Sequence, residues 1–256
     1  MGISRESPEV TKNANTGSPA AQSFDARAIK AISLDLDDTL WAVDPVIARA
    51  EQRMLDWLTE RYPRIVEQFG AEGLRALREE HGRRSPQLSH DFTALRIASL
   101  EEAARHCGYA PELAHAAFDV MWRARNEVEL YEDVLPALKV LAERYLLAAV
   151  TNGNADLTLI GLDHWFECCI SAREVGVAKP DPAIYAALAR RLDLPAAAIL
   201  HVGDDPVTDV RGALSAGMPA VWINRGGLAW PDEDVAALEV TDLSALATLL
   251  DASTTP

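Results

Sequence analysis

Positive charge is scarce in this sequence: 24 Lys and Arg face 39 Asp and Glu, a formal net charge of −15. Nucleic-acid binding needs a basic surface that displaces counterions from phosphates, so that class of partner is excluded. An acidic protein that handles phosphate must carry its positive charge locally, on a metal or a few cations. Cysteine is scarce too, with only Cys107, Cys168 and Cys169. An odd count with two adjacent members makes no disulfide framework, and no Cys-x-x-Cys spacing offers a metal site. The three read as buried, reduced thiols, which suits the cytoplasm. No apolar run reaches the ~20 residues of a membrane span. The N-terminus lacks the apolar segment of a signal peptide. Internal repeats are absent, and compositional bias is confined to residues 1–27, rich in Ser, Thr, Asn, Pro and Ala, which read as a flexible tail.

What is present is ample apolar material. The chain has 256 residues, 49% of them hydrophobic, enough for one large domain or a core with a smaller insert. Ala31 to Asp35 reads as a short buried strand ending in acids. Asp44 followed by Pro45 is a helix-start signal. Ile47, Ala50, Met54, Trp57 and Leu58 then recur at helical spacing. Gly70 and Gly73 punctuate the chain before a short helix at Leu74 and Leu77. His81 to Gln87 reads as a polar break. Further helices are expected from Phe92 to near Gly108, and after Pro111. Beyond Val134 the pattern changes. Strands at Leu146–Val150, Cys168–Ile170, Ile199–Val202 and Ala220–Ile223 alternate with helices at Asp181–Leu192, Val207–Ala216 and Leu243–Leu250. That alternation predicts a parallel α/β sheet with right-handed crossovers. The all-helical block follows the first strand, so it reads as an inserted cap over 43–131. The core would then be 28–42 together with 132–256.

In an open parallel sheet, ligands bind beyond the carboxyl ends of the strands. Three strand ends here carry polar clusters. Asp35, Asp37, Asp38 and Thr39 follow the first strand. Thr151, Asn152, Gly153 and Asn154 follow the second. Gly203, Asp204, Asp205 and Asp209 follow the strand ending at Val202. Lys179-Pro180 adds a cation at a helix start. Alone, each has a plain reading as a turn, a helix cap or a solvated end. Together, in this order, they predict one pocket. Asp35 and Asp204 are oxygen ligands suited to a hard divalent cation. Such a cation offsets the repulsion between a carboxylate nucleophile and a phosphate dianion. Asp35 would attack phosphorus. Asp37 would hold a proton for the leaving alkoxide, which neighbouring carboxylates favour, and later take one from water. Thr151 and the N–H groups of Asn152 and Gly153 would bind phosphoryl oxygens. Lys179 would supply fixed positive charge.

These four groups resemble the four motifs of the haloacid dehalogenase superfamily, from about residue 30 to the end. Leu34-Asp35-Leu36-Asp37-Asp38-Thr39-Leu40 resembles the first, Thr151-Asn152-Gly153 the second, Lys179-Pro180 the third, and His201-Val202-Gly203-Asp204-Asp205 with Asp209 the fourth. The resemblance implies a Rossmann-like core of three layers with a helical cap. It implies Mg²⁺ held by Asp35, the main-chain carbonyl of Asp37, and Asp204. Asp205 or Asp209 would stand behind these, toward the metal's water or Lys179. The stretches around Ala149–Ala155 and Leu200–Val210 are similar to a bacterial subgroup of phosphatases. That subgroup dephosphorylates FMN and the riboflavin precursor 5-amino-6-(5-phospho-D-ribitylamino)uracil.

A small-molecule phosphate ester is therefore the expected partner, and a monomer the expected state. In the cap, Trp41, His90 and Arg96 are candidates for contact with the substrate, each against a structural alternative. Trp41 could be hinge packing, His90 a helix-start residue, and Arg96 part of a helix-face ion pair. Other readings of the same motifs are a phosphatase of another metabolite, a phosphomutase, a 2-haloacid dehalogenase, or an inactive scaffold that only binds. Asp37 and Thr39 favour phosphoryl transfer over dehalogenation, because halide leaves without a proton.

Overall fold

The computed structural model describes residues 25–230 and 238–252. The tail expected over 1–27 lies, up to residue 24, outside the described residues. Among the described residues, six strands form one wholly parallel sheet: β1 (Ala31–Leu34), β2 (Leu146–Thr151), β3 (Cys168–Ser171), β4 (Ile199–Gly203), β5 (Ala220–Ile223) and β6 (Leu238–Val240). Their order is β3-β2-β1-β4-β5-β6, that of a doubly wound Rossmann-like sheet. β1 lies between β2 and β4, where the winding reverses. Leu34 faces Ala149 on one side and Val202 on the other, so three chain ends emerge at the same level.

Both faces of the sheet are covered, which explains the unbroken apolar runs of its strands. Ile32, Leu34, Leu147, Ala149, Leu200 and Val202 point to one face. There they meet Val134 and Leu138 of α5 (Val134–Ala142) and Leu243 and Leu246 of α7 (Leu243–Ala252). Ala31, Ala148, Val150 and Ile199 point to the other face, against Ile184, Tyr185 and Leu188 of α6 (Pro182–Leu192). This gives the expected three layers. α5 and β6 have no counterpart in the sequence reading. β6 is three residues long at the sheet edge, too short to show a period.

Between β1 and α5 lie four helices: α1 (Val43–Arg61), α2 (Pro63–Arg84), α3 (Phe92–His106) and α4 (Leu113–Arg125). They bury a core of their own. Met54, Leu58, Ile65, Leu100, Phe118 and Met121 fill it, and Ala50, Ala103, Ala114 and Ala117 let the helix axes approach. α1 starts two residues before the expected Pro45, because the Asp38 carboxylate in the preceding loop accepts the Val43 N–H at 2.9 Å. α2 bends at Gly70, whose φ of +56° favours glycine. The expected polar break from His81 is helical as far as Arg84. His81 pairs with Glu102 at 2.8 Å, and Arg84 with Glu80 at 3.3 Å and Glu102 at 3.1 Å, so its polar side chains have partners on α2 and α3.

The two connections between this helical block and the sheet run side by side. The Tyr131 N–H donates to the Leu40 carbonyl at 3.0 Å, and Trp41 bridges to Leu130. All three cysteines are free thiols, half-buried rather than buried as expected. Among the described residues, no helix is long and apolar enough to cross a membrane.

Candidate active site

The acidic groups meet because their strands end together. Asp35 follows β1, with its N–H donating to the Val202 carbonyl of β4 at 2.9 Å. The chain then turns tightly. Asp38 adopts φ +57°, a left-handed conformation that Asp tolerates better than most residues, and its N–H donates to the Trp41 carbonyl at 2.7 Å. That turn buries Thr39, whose hydroxyl donates to Asp204 Oδ1 at 3.1 Å. Thr39 thus aims a carboxylate that β4 delivers.

Lys179 is the hub. It is 4% exposed, and its Nζ lies 2.8 Å from Asp35 Oδ1 and 2.6 Å from Asp209 Oδ1, and donates to the Val150 carbonyl at 3.0 Å. Asn152 clamps its backbone: the Lys179 N–H donates to Asn152 Oδ1 at 2.7 Å, and Asn152 Nδ2 donates back to the Lys179 carbonyl at 3.1 Å. The Asn152 side chain thus fixes the lysine, a role that the sequence does not show. Thr151 is buried, and its hydroxyl accepts the Gly153 N–H at 2.9 Å. A Cβ on Gly153 would stand 2.7 Å from Asp37 Oδ2, so only glycine fits that corner.

Asp205 and Asp209 have different jobs. Asp205 is exposed and caps the helical segment Pro206–Arg211, accepting the N–H groups of Val207 at 2.9 Å and Thr208 at 2.6 Å. Asp209 is fully buried. Its Oδ1 takes Lys179 and, at 3.2 Å, His201 Nε2; its Oδ2 accepts the Asp205 N–H at 3.0 Å. Room for it exists because residue 203 is Gly: a Cβ there would lie 2.2 Å from the Asp209 carboxyl carbon.

Charge is unevenly shared. Burial alone would pull Lys179 down, but Asp209 and Asp35 more than reverse it, holding its ammonium well above the ordinary lysine range. Burial would raise Asp209, yet Lys179 and the bonds from His201 hold it well below the usual carboxylate range. Asp35 is pushed well up by burial, with Lys179 opposing and the charges of Asp209 and Asp204 adding to the rise. Asp204 is pushed up to about 7 by burial, then by Asp209 and Asp38. Burial lowers His201, so its ring is neutral at pH 7. Nε2–H then donates to Asp209, and Nδ1, 2.9 Å from the Ser33 hydroxyl, accepts.

Asp35, Asp204 and Asp209 offer oxygens that all lie within 4.8 Å of one another. A set of three carboxylates, one buried and two half-buried, answered by one lysine lacks positive charge, and its all-oxygen donors fit a hard divalent cation.

Sequence reasoning missed Arg125, the last residue of α4. Its side chain is 2% exposed, and Nη2 donates to Asp37 Oδ1 at 2.7 Å and Oδ2 at 2.6 Å. Trp41 Nε1 donates to Asp37 Oδ1 at 2.8 Å. Asp37 is therefore held by α4 and by the chain leaving β1, whereas Asp35 is held from the sheet side. Arg125 lies 88 positions from Asp37, and a helix-end arginine ordinarily marks a solvated terminus.

Asp35, Asp37 and Thr151 open onto a cavity of about 380 Å³ between the sheet and the helical block, within the size of small-molecule sites. Arg96 lines it; Trp41 and His90 do not. Trp41 is fully buried beneath the site, its indole N–H spent on Asp37. A larger groove of about 630 Å³ beside Trp122 and Phe166 holds none of the motif acids.

Comparison with known proteins agrees with this geometry. The profile of the haloacid dehalogenase-like hydrolases matches residues 29–217. The 5-amino-6-(5-phospho-D-ribitylamino)uracil phosphatase YigB of Escherichia coli K12 is 36% identical over 87% of this chain and 96% of its own. A phosphoserine phosphatase of Thermus thermophilus is 31% identical over 77% of this chain and 90% of its own. A crystal structure described as 2-haloacid dehalogenase from Pseudomonas syringae pv. tomato superposes with a TM-score of 0.83, at 37% identity over 88% of this chain and 99% of that one. With its motifs gathered at the switch point of a Rossmann-like sheet, and with a family match across most of its length, the chain belongs to the haloacid dehalogenase-like hydrolases.

Proposed function

We propose that this protein is a Mg²⁺-dependent phosphatase acting on FMN or 5-amino-6-(5-phospho-D-ribitylamino)uracil through an aspartyl-phosphate intermediate. The observation that carries the mechanism is the division of labour between two acids at one cavity. Asp35 is bound to Lys179, and Asp37 to Arg125 and Trp41. An Asp35 oxygen attacks phosphorus, and the bond from phosphorus to the ester oxygen breaks. Asp37 gives its proton to the departing alkoxide. Water then attacks phosphorus while Asp37 takes its proton, and the phosphorus–Asp35 bond breaks to release inorganic phosphate. Phosphate entering the cavity competes with Asp37 for the Arg125 guanidinium. Thr151 binds a phosphoryl oxygen, and Lys179 steadies the charge on nucleophile and phosphate.

Asp35, the Asp37 carbonyl and Asp204 would hold Mg²⁺, with Asp209 bracing Lys179 behind them. When bound, the ion supplies the positive charge that lets a carboxylate approach a phosphate dianion. We assign the core to 28–42 and 132–256 and the cap to 43–131, hinged at the paired connections near Val43 and Tyr131. Closure of the cap would exclude water from the cavity. The substrate assignment is supported by the Escherichia coli relative and its coverage. The relative described as a dehalogenase raises a rival reading. Dehalogenation has no dianion for a cation to offset and no alkoxide to protonate, so it gives Asp37 and the carboxylate cluster no work.

Two measurements test this. In a phosphate-release screen, FMN and the ribitylaminouracil phosphate should exceed sugar phosphates in kcat/KM, and EDTA should abolish turnover. Equal rates across the panel would remove the substrate assignment; chloride release from 2-chloropropionate would favour the rival.

The second is metal-dependent stability. Metal-free Asp204 is ionised only above about 7. Protons therefore compete with Mg²⁺ more strongly as pH falls. At pH 8, Mg²⁺ at ~100 times its Kd should stabilise the EDTA-treated protein by about 2.7 kcal/mol. At pH 5.5 the affinity should be weaker by roughly 30-fold or more: Asp204 alone accounts for about 2 kcal/mol, and Asp35, raised as well, adds to it. Thermal melts with and without Mg²⁺ at the two pH values read this directly. An equal Tm gain at both would contradict the assignment of Asp204 as a ligand.

A further inference from the structure

We propose that Arg78 and Arg96 form a second subsite in the cap, which binds an acceptor-rich group at the end of the substrate remote from the phosphate. Both line the cavity that also holds Asp35 and Asp37. Three cap helices converge there on one acid. Glu51 Oε1, on α1, accepts from Arg96 Nη2 of α3 at 3.0 Å and from Arg78 Nη1 of α2 at 3.2 Å. Arg75 Nη2 approaches Glu51 Oε2 at 4.0 Å. A single carboxylate thus answers three guanidiniums.

Each guanidinium has five N–H donors and no acceptor. One hydrogen bond to Glu51 uses little of that capacity, and Arg96, with a side chain 13% exposed, turns toward the cavity it lines. Like-charge crowding is visible at Arg96, which is pulled down to about 10 by burial and then by Arg78 and Arg75, with Glu51 opposing. Excess donors and excess positive charge at a half-buried wall are offset by a ligand that presents only acceptors. The wall beside them is apolar: Val43, Ile47, Met121 and Phe92, whose ring is 51% exposed. A flat ring can lie on that surface with its carbonyl edge on the guanidiniums.

This rests on the substrate reading above, under which the acceptors are the carbonyl oxygens of a pyrimidinedione. A carboxylate would satisfy the same donors, so the test separates the two sources. Steady-state phosphate release is measured for wild type, Arg96→Gln and Arg78→Gln. The substrates are FMN, ribitol 5-phosphate without the ring, 3-phosphoglycerate, and glycerol 3-phosphate without the carboxylate. Arg78, the more exposed of the pair, keeps the test valid if Arg96→Gln fails to fold.

The ratio of kcat/KM for FMN over ribitol 5-phosphate should fall about tenfold or more in each folded variant, the scale of a lost hydrogen bond to a charged group. Most of that fall should appear in KM. An unchanged ratio for FMN, with an unchanged ratio for 3-phosphoglycerate over glycerol 3-phosphate, overturns the subsite. If wild type shows no preference for FMN over ribitol 5-phosphate, the flavin reading fails. The subsite then stands if the 3-phosphoglycerate ratio falls in the variants, and fails if it does not.

Discussion

Replacement of Asp35 by Asn should lower kcat/KM on a generic aryl phosphate by about 10⁴-fold or more, the scale on which loss of a nucleophile is felt. The amide has the shape of the carboxylate but cannot form the acyl phosphate. The same substitution should leave the fold intact and raise the Tm of the metal-free protein. Asp35 is pushed well above its ordinary value by burial and by the charges of Asp209 and Asp204. A carboxylate raised in this way costs stability above its unfolded value near 3.9, and the cost grows until pH passes the folded value. Asn removes the cost, so the gain should be larger at pH 8 than at pH 5. Lys179 keeps Asp209 and the Val150 carbonyl as partners, so the hub survives. Turnover at the wild-type rate in a folded Asp35→Asn protein would sink the mechanism.

Replacement of Lys179 by Met should be the most destabilising single change at the site. It leaves Asp35 and the fully buried Asp209 without their cation. Breaking a buried ion pair from one side costs about 3–5 kcal/mol. In a protein of this size that corresponds to a drop of roughly 6–20 °C in Tm. Catalysis should fall as well, by about 10²–10³-fold for loss of one stabilising charge. The double variant Lys179→Met with Asp209→Asn separates the two effects. It should recover part of the Tm, because the fully buried charge of Asp209 is gone while Asp35 stays without its cation, and none of the activity. A Lys179→Met protein with unchanged Tm would show that the hub carries no stability. Recovery of activity in the double variant would show that Lys179 acts only through folding.

Each effect depends on contacts that no local stretch of sequence displays. The strand of β1 is legible because Ala31, Ile32 and Leu34 are apolar and buried on both faces. The helices between β1 and α5 are legible because Ala50, Met54 and Leu58 recur at helical spacing and pack into one core. The acids after β1 and β4, Thr151 at the end of β2, and Lys179 before α6 are legible because a parallel sheet presents its ligand-binding residues at strand ends. Legibility fails where the partner is remote. Arg125 of α4 and Asp37 after β1 meet across 88 positions of chain, and each looks ordinary in its own segment. Asp205 and Asp209 look interchangeable in sequence. Only the turn into Pro206–Arg211 exposes the first as a helix cap and buries the second against Lys179 and His201.

The sequence by itself therefore determined five of the six strands, the helices that follow β1 and the polar groups that stand at the strand ends. Periodicity and strand-end position are properties of neighbouring residues, and a single chain displays them. The tertiary structure alone decided how those groups are charged and held. It set Lys179 between Asp35 and Asp209, Arg125 and Trp41 on Asp37, and three arginines around Glu51. Those arrangements arise from distance and burial between segments far apart in the chain, where a few ångströms and the loss of water decide which carboxylate keeps its charge.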